Sequence, residues 1–230
     1  MLELADKIDS KSIVGNNVWV RIPSPALLIN HNQLQYECKG VKTMNKKILV
    51  VVDVQNDFID GALGNDETKA IVPKLVKKLK KYGKDYDSIY LTRDIHYDNY
   101  LDTLEGKKLP VPHCIKKSGG ENINKDVWEA VQMLRKQKKY VGVVDKNTFA
   151  SKDLIAILSQ VCSSSDEIEL CGVCTDICVV ANAIGLRTAM PNTVIKVDSH
   201  CCAGTSIKAH NAALRTMASC QIDVIGRHYG

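Results

Sequence analysis

The stretch Gly172-Val173-Cys174-Thr175-Asp176-Ile177-Cys178-Val179 closes an apolar run, Ile168 to Cys171, and opens a helical pattern from about Asp176. A cysteine in such a strand-to-helix turn has its thiol near a helix N-terminus, where partial positive charge favours the thiolate. The same turn offers backbone N–H groups to a developing oxyanion. Two further reactive residues end strand-like runs: Asp53 in Val52-Asp53-Val54-Gln55-Asn56-Asp57-Phe58, and Lys146 in Val143-Val144-Asp145-Lys146. With Cys178 they are a base, a cation and a thiol. The carboxylate can take the thiol proton, and a nearby ammonium stabilises the thiolate. A second set, Asp94, His96, Glu105 and His113, falls in the long segment around the end of the second strand-like run. Asp and His two residues apart can share a divalent ion, with the later Glu and His reaching in to complete the shell.

These residues need a frame. From Lys46 onward the hydrophobic pattern is regular. Residues 48–54 form a continuous apolar run ending at Asp53, as in a strand buried on both faces. Helical spacing of Ile71, Val72, Leu75, Val76 and Leu79 predicts a helix over 68–82. Strands are expected at 88–92, 140–144, 168–173, 194–197 and 223–225, and helices at 125–137, 154–161, 176–188 and 207–219. The segment between the second strand and about Asn122 has no clear period. Strands alternating with helices imply a three-layer α/β sandwich, with a mostly parallel sheet of about six strands covered on both faces. Active sites of such sheets lie beyond the carboxyl ends of the strands, which brings Asp53, Asp94, Lys146 and Cys174–Cys178 to one edge.

The first 45 residues differ from the rest. Pro23, Pro25, Gly15 and the polar run Asn30–Gln33 give no period, though Val18-Trp19-Val20 suits a short strand. Residues 1–45 are therefore read as an extension and 46–230 as the catalytic domain, with Met44 an alternative start of translation. Hydrophobic and charged fractions of 45% and 25% are ordinary for a soluble globular chain. The net charge of +5 is spread over helix faces rather than gathered in a stripe, which argues against a nucleic-acid partner. No apolar run approaches the roughly 20 residues of a membrane span, and the acidic N-terminus does not read as a secretion signal. The nine cysteines lie within apolar, patterned segments, as expected of reduced thiols in a cytoplasmic protein.

Five motifs, in this order and at these strand ends, resemble the nicotinamidase/isochorismatase-like cysteine hydrolases over roughly residues 46–226. They are Asp53-Val-Gln-Asn-Asp-Phe58, Thr92-Arg-Asp-Ile-His96, Pro112-His-Cys114, Asp145-Lys146 and Gly172-Val-Cys-Thr-Asp-Ile-Cys-Val179, followed by a family-like tail from Asp198 to Met217. The resemblance implies an Asp53–Lys146–Cys178 triad, a cis peptide before Cys174, and an oxyanion hole formed by the amides of Cys174 and Cys178. A cysteine at 178 separates amide-cleaving members from isochorismatases, which do not use a cysteine nucleophile. The resemblance further implies a divalent metal on Asp94, His96, Glu105 and His113, zinc first with iron or manganese as alternatives, holding the pyridine nitrogen of a substrate such as nicotinamide. The expected partners are a small amide and a second copy in a homo-oligomer.

The chain departs from the family pattern at Ile95, Tyr100 and Pro110, where other members place a tryptophan, a histidine and a stacking tryptophan. Phe58 and Phe149 remain as candidates to sandwich an aromatic ring, and Gln55 is assigned with them to the substrate. Other readings stay open: hydrolysis of a ureido or carbamoyl amide, an idle scaffold of the same fold, or thiol exchange through Cys171-Gly-Val-Cys174.

Overall fold

The structure, a computed structural model, describes residues 45–226. The expected extension over 1–45, with its Val18–Val20 strand and Met44, lies outside these residues apart from Asn45. Six strands alternate with seven α-helices: β1 (Lys47–Val52), α1 (Asn56–Ile59), α2 (Asp66–Tyr82), β2 (Ser88–Asp94), α3 (Leu104–Lys108), α4 (Lys125–Lys136), β3 (Tyr140–Lys146), α5 (Lys152–Val161), β4 (Glu167–Val173), α6 (Val180–Ala189), β5 (Val194–Ala203), α7 (Ile207–Ser219) and β6 (Asp223–Ile225). All strand pairs are parallel, in the order β3-β2-β1-β4-β5-β6. The three-layer α/β expectation holds, and the sheet is wholly rather than mostly parallel.

Central β1 reads Lys-Ile-Leu-Val-Val-Val and is buried from its second residue onward, because helices cover both faces. Helices α2 and α4 pack together on one face; α5, α6 and α7 form a contiguous row that covers the other. Their apolar stripes meet the sheet in one core of Leu49, Leu75, Ile89, Leu134, Leu154, Leu170 and Leu214. Successive strands are added on one side of β1 and then, from β4, on the other, so the boundary between β1 and β4 is the topological switch point at which such sheets open a crevice. Asp53, Asp94, Lys146 and Cys174 all follow or end strands at that carboxyl edge.

Several elements differ from the sequence expectation. Strand β2 runs on to Asp94, and β3 on to Lys146, because the two remain paired through Asp94↔Lys146. Strand β5 continues past Val197 to Ala203 after a register irregularity opposite Leu170 and Gly172. The expected helix from Asp176 starts instead as a π turn, Thr175–Val179, and becomes α-helical at Val180.

Candidate active site

Asp53 follows β1 with φ of +48°, a left-handed conformation uncommon for a residue with a Cβ. One side chain supports it from both sides. Thr92 on β2 accepts from the Asp53 amide through Oγ1 at 3.2 Å and donates its hydroxyl proton to Asp53 Oδ1 at 2.6 Å. The other carboxylate oxygen, Oδ2, lies 2.7 Å from Lys146 Nζ. That ammonium also lies 3.6 Å from Cys178 Sγ and 3.5 Å from Asp94 Oδ1. Asp53, Lys146 and Cys178 are all buried, so these charges act in a low dielectric where their interaction is strong.

Burial raises the pKa of Asp53 above the ordinary aspartate value, against the opposing pull of Lys146. The lysine stays a cation: burial works against its charge, but Asp53, Cys178 and Asp94 together hold its pKa above the ordinary value. Burial also drives the Cys178 thiol well above the usual cysteine range, with Asp53 adding to the shift and Lys146 opposing it. Burial thus opposes the thiolate that a helix N-terminus is expected to favour. Cys178 sits in the π turn ahead of α6, where burial disfavours its thiolate. The neutral thiol is favoured in a site where Lys146 bridges Asp53 and Cys178.

The turn that carries Cys178 is shaped by backbone bonds. The Val173–Cys174 peptide is cis. Cys174 O accepts from Ile177 N at 3.1 Å and from Val179 N at 3.0 Å, which wraps the chain around the Cys178 main chain. Insertions of this π type inside helices recur at functional sites. Thr175 bonds His210 Nδ1 at 2.8 Å, and Asp176 accepts from the Thr205 amide and hydroxyl at 2.9 and 2.6 Å, so α7 and the residues before it anchor the turn. Gly172 at φ +120° lets β4 approach β1, since a Cβ there would stand 2.1 Å from Val52 O.

The second set assembles as well. One donor atom from each of Asp94, His96, Glu105 and His113 lies within 4.8 Å of all the others. His96 Nε2 is 3.0 Å from Asp94 Oδ2 and 3.7 Å from Glu105 Oε1; His113 Nε2 is 3.7 and 3.8 Å from the same two oxygens. His113 Nδ1 bonds Val111 O at 2.8 Å, which directs Nε2 toward the cluster. Two imidazoles and two carboxylates converging in this way fit a divalent transition metal. Glu105 arrives on α3, capped by Thr103 through a 3.0 Å bond from Gly106 N. Tyr100 lies beside this donor set and is not one of its members. Its hydroxyl donates to Leu109 O at 3.0 Å, and its buried ring packs edge-on against His96 and His113 at 4.7 and 5.0 Å between centroids.

The residues assigned to the substrate divide. Phe58 is buried in α1, 5.4 Å from the His113 ring and packed in one cluster with Cys174. Phe149, on the loop after β3, is half-exposed. Gln55 has another task. Its amide accepts from Asp94 N at 2.7 Å and donates to Asp94 O and Glu121 O at 2.8 and 2.9 Å. Both ends of the amide are thus engaged, and Gln55 positions Asp94 rather than touching a ligand. Cys171 is fully buried in β4, and the eight cysteines among the described residues are free thiols, with no Cys171–Cys174 disulfide. Thr92 and Asn182 were not singled out from the sequence. The Thr92-Arg-Asp motif could have flagged the first, and nothing local distinguishes the second.

A family model described as Isochorismatase domain matches residues 47–228. A nicotinamidase of Schizosaccharomyces pombe is 26% identical over 207 residues, covering 77% of this chain and 91% of its own. The crystal structure of a pyrazinamidase/nicotinamidase from Streptococcus mutans UA159 superposes with a TM-score of 0.68 at 27% identity, over 78% of this chain and 100% of its own. The pyrazinamidase of Pyrococcus horikoshii, solved in complex with zinc, shares the fold with a TM-score of 0.60 at 23% identity, over 78% of this chain and 98% of its own.

Proposed function

The chain belongs to the isochorismatase family and is a hydrolase of amide carbon–nitrogen bonds, and we propose that it converts nicotinamide to nicotinate and ammonia through an Asp53–Lys146–Cys178 triad. The observation that carries this reading is the position of Lys146 Nζ, 2.7 Å from the Asp53 carboxylate, 3.6 Å from the Cys178 thiol and 3.5 Å from the metal-set residue Asp94. One ammonium thereby joins base, nucleophile and metal set.

In this mechanism Asp53 removes the Cys178 proton as the sulfur attacks the amide carbon, so the thiolate forms only in step with bond formation. The tetrahedral oxyanion is held by the amides of Cys174 and Cys178, and Lys146 supplies positive charge beside the reacting sulfur. Asp53 returns the proton to the departing ammonia, leaving a thioester on Cys178. Asp53 then takes a proton from the attacking water, and collapse of the second tetrahedral intermediate releases the acid and the thiol. A divalent ion held by Asp94, His96, Glu105 and His113, zinc first among the candidates, would supply a Lewis-acid anchor for a ring nitrogen. Phe58, between His113 and Cys174, supports an aromatic substrate lying across the site.

The test is ammonia release from nicotinamide and pyrazinamide by zinc-loaded protein, beside Cys178→Ala. Release by the parent enzyme and none by the variant is expected. Inertness toward both amides, with turnover of a carbamoyl or ureido compound, would replace the substrate while keeping the triad.

A further inference from the structure

Asn182 is fully buried in the first turn of α6, one helical turn after the nucleophile. Its amide bridges three main-chain groups from two segments. Nδ2 donates to Cys178 O at 2.8 Å and to Phe149 O at 3.1 Å, while Oδ1 accepts from Ser151 N at 2.9 Å. Ser151 caps α5 through a 3.1 Å bond from Leu154 N, so the far end of this loop is rigid. The near end is Lys146, fixed in the sheet opposite Asp94. The intervening loop carries Phe149, whose ring is half-exposed while its main chain shares a donor with Cys178. Among the described residues Phe149 and Phe58 are the two phenylalanines, and Phe58 is buried against His113.

We propose that the Phe149 ring forms an aromatic wall at the mouth of the site and that Asn182 is a positioning residue that ties its main chain to that of the nucleophile, fixing this wall and with it the ring size accepted and the access to Cys178. The physical basis is the location of the amide. A buried side chain with both ends bonded holds its partners in one arrangement, because releasing either leaves a buried polar group unpaired. The Phe149 ring is half-exposed, and the Asn182 amide bonds its carbonyl directly. This inference rests on the amidase reading for its effect on substrate, and its effect on thiol access is independent of that reading.

Asn182→Thr separates the two halves of the clamp. A helical threonine can bond the carbonyl four residues back, keeping the Cys178 contact while releasing Phe149 and Ser151. Removal of a placed aromatic contact is expected to raise KM for nicotinamide about fivefold, with a much smaller fall in kcat, in Asn182→Thr and in Phe149→Ala alike. In the double variant the two effects should not multiply, as required when one residue acts through the other. The same set is read by iodoacetamide alkylation of Cys178, followed on its own peptide by mass spectrometry. The rate should rise several-fold in each single variant and no further in the double.

Asn182→Leu, which also loses the Cys178 bond, should lower kcat besides. Effects that multiply in the double variant, or an Asn182→Thr enzyme with parental KM and parental alkylation, would overturn the proposal. If the parent hydrolyses neither nicotinamide nor pyrazinamide, the substrate reading fails and alkylation alone decides this one.

Discussion

At the scale of single residues, the proposed base Asp53 is tuned by a neighbour. Thr92 holds the Asp53 amide and carboxylate at once, which keeps a left-handed residue in place and turns its free oxygen toward Lys146. The hydroxyl donates to the charged form of Asp53 and so lowers a pKa that burial has raised. Catalysis needs the carboxylate, and activity therefore falls as pH drops through that raised value. Thr92→Val removes the donor, the pKa climbs further, and the acid limb of kcat/KM should move up by about one pH unit, the equivalent of one hydrogen bond to a charge. Thr92→Ser should leave it in place; an unmoved limb in Thr92→Val would refute the tuning. Asp53, Lys146 and Cys178 were legible as residue types at or just beyond strand ends, and the candidate metal set as an Asp-x-His pair with a later Glu and His. Thr92 was visible only as the head of a motif and not as a partner of Asp53, because a threonine within a strand is ordinary β-sheet composition. Gln55 was legible only as part of a motif, and its role became plain when its amide was found on Asp94.

Elements explain where the reading of boundaries fell short. Residues 198–200 of β5, Asp-Ser-His, break the apolar run and looked like a strand end. The strand continues because Asp198 finds Lys78 at 2.7 Å, a partner on α2 that no local pattern discloses. Helix α3 is five residues long and too short for periodicity to reveal, yet it delivers Glu105. Its position depends on Gly106, where a Cβ would stand 2.1 Å from Tyr100 O. Gly106→Ala must therefore push α3 away from Tyr100 and pull Glu105 from the two histidines. Zinc affinity, measured by competition with a chelator, should fall at least about tenfold. Affinity equal to the parent's would mean that Glu105 is no ligand.

For the whole molecule, the parallel sheet and its two helical layers were legible because buried strands and amphipathic helices have different periods. The order of the strands was not, since it is set by long-range pairing. One buried network crosses the layers: Lys78 on α2 meets Glu169 on β4 and Asp198 on β5, and Tyr86 donates to Glu169 at 2.9 Å. Burial would raise the pKa of Asp198, but the bond from Lys78 holds it below the ordinary carboxylate value. A depressed carboxylate contributes stability that is full above its unfolded value, about 3.9, and is lost as pH falls through the folded one. Asp198→Asn should cost about 2 kcal/mol at neutral pH, and the gap from the parent should close below about pH 4. A gap that is constant with pH would show that the charge is not responsible.

Zinc should likewise stabilise the fold by RT ln(1 + [L]/Kd) and raise the melting temperature as its concentration rises above Kd. His96→Ala should abolish that rise.

The triad itself is tested most directly by catching its intermediate. Acid quenching during turnover of nicotinamide, followed by peptide mass spectrometry, should find a nicotinoyl thioester on Cys178 and on no other cysteine. Steady ammonia release with Cys178 unmodified, or release undiminished in Cys178→Ala, would contradict a cysteine nucleophile at this site.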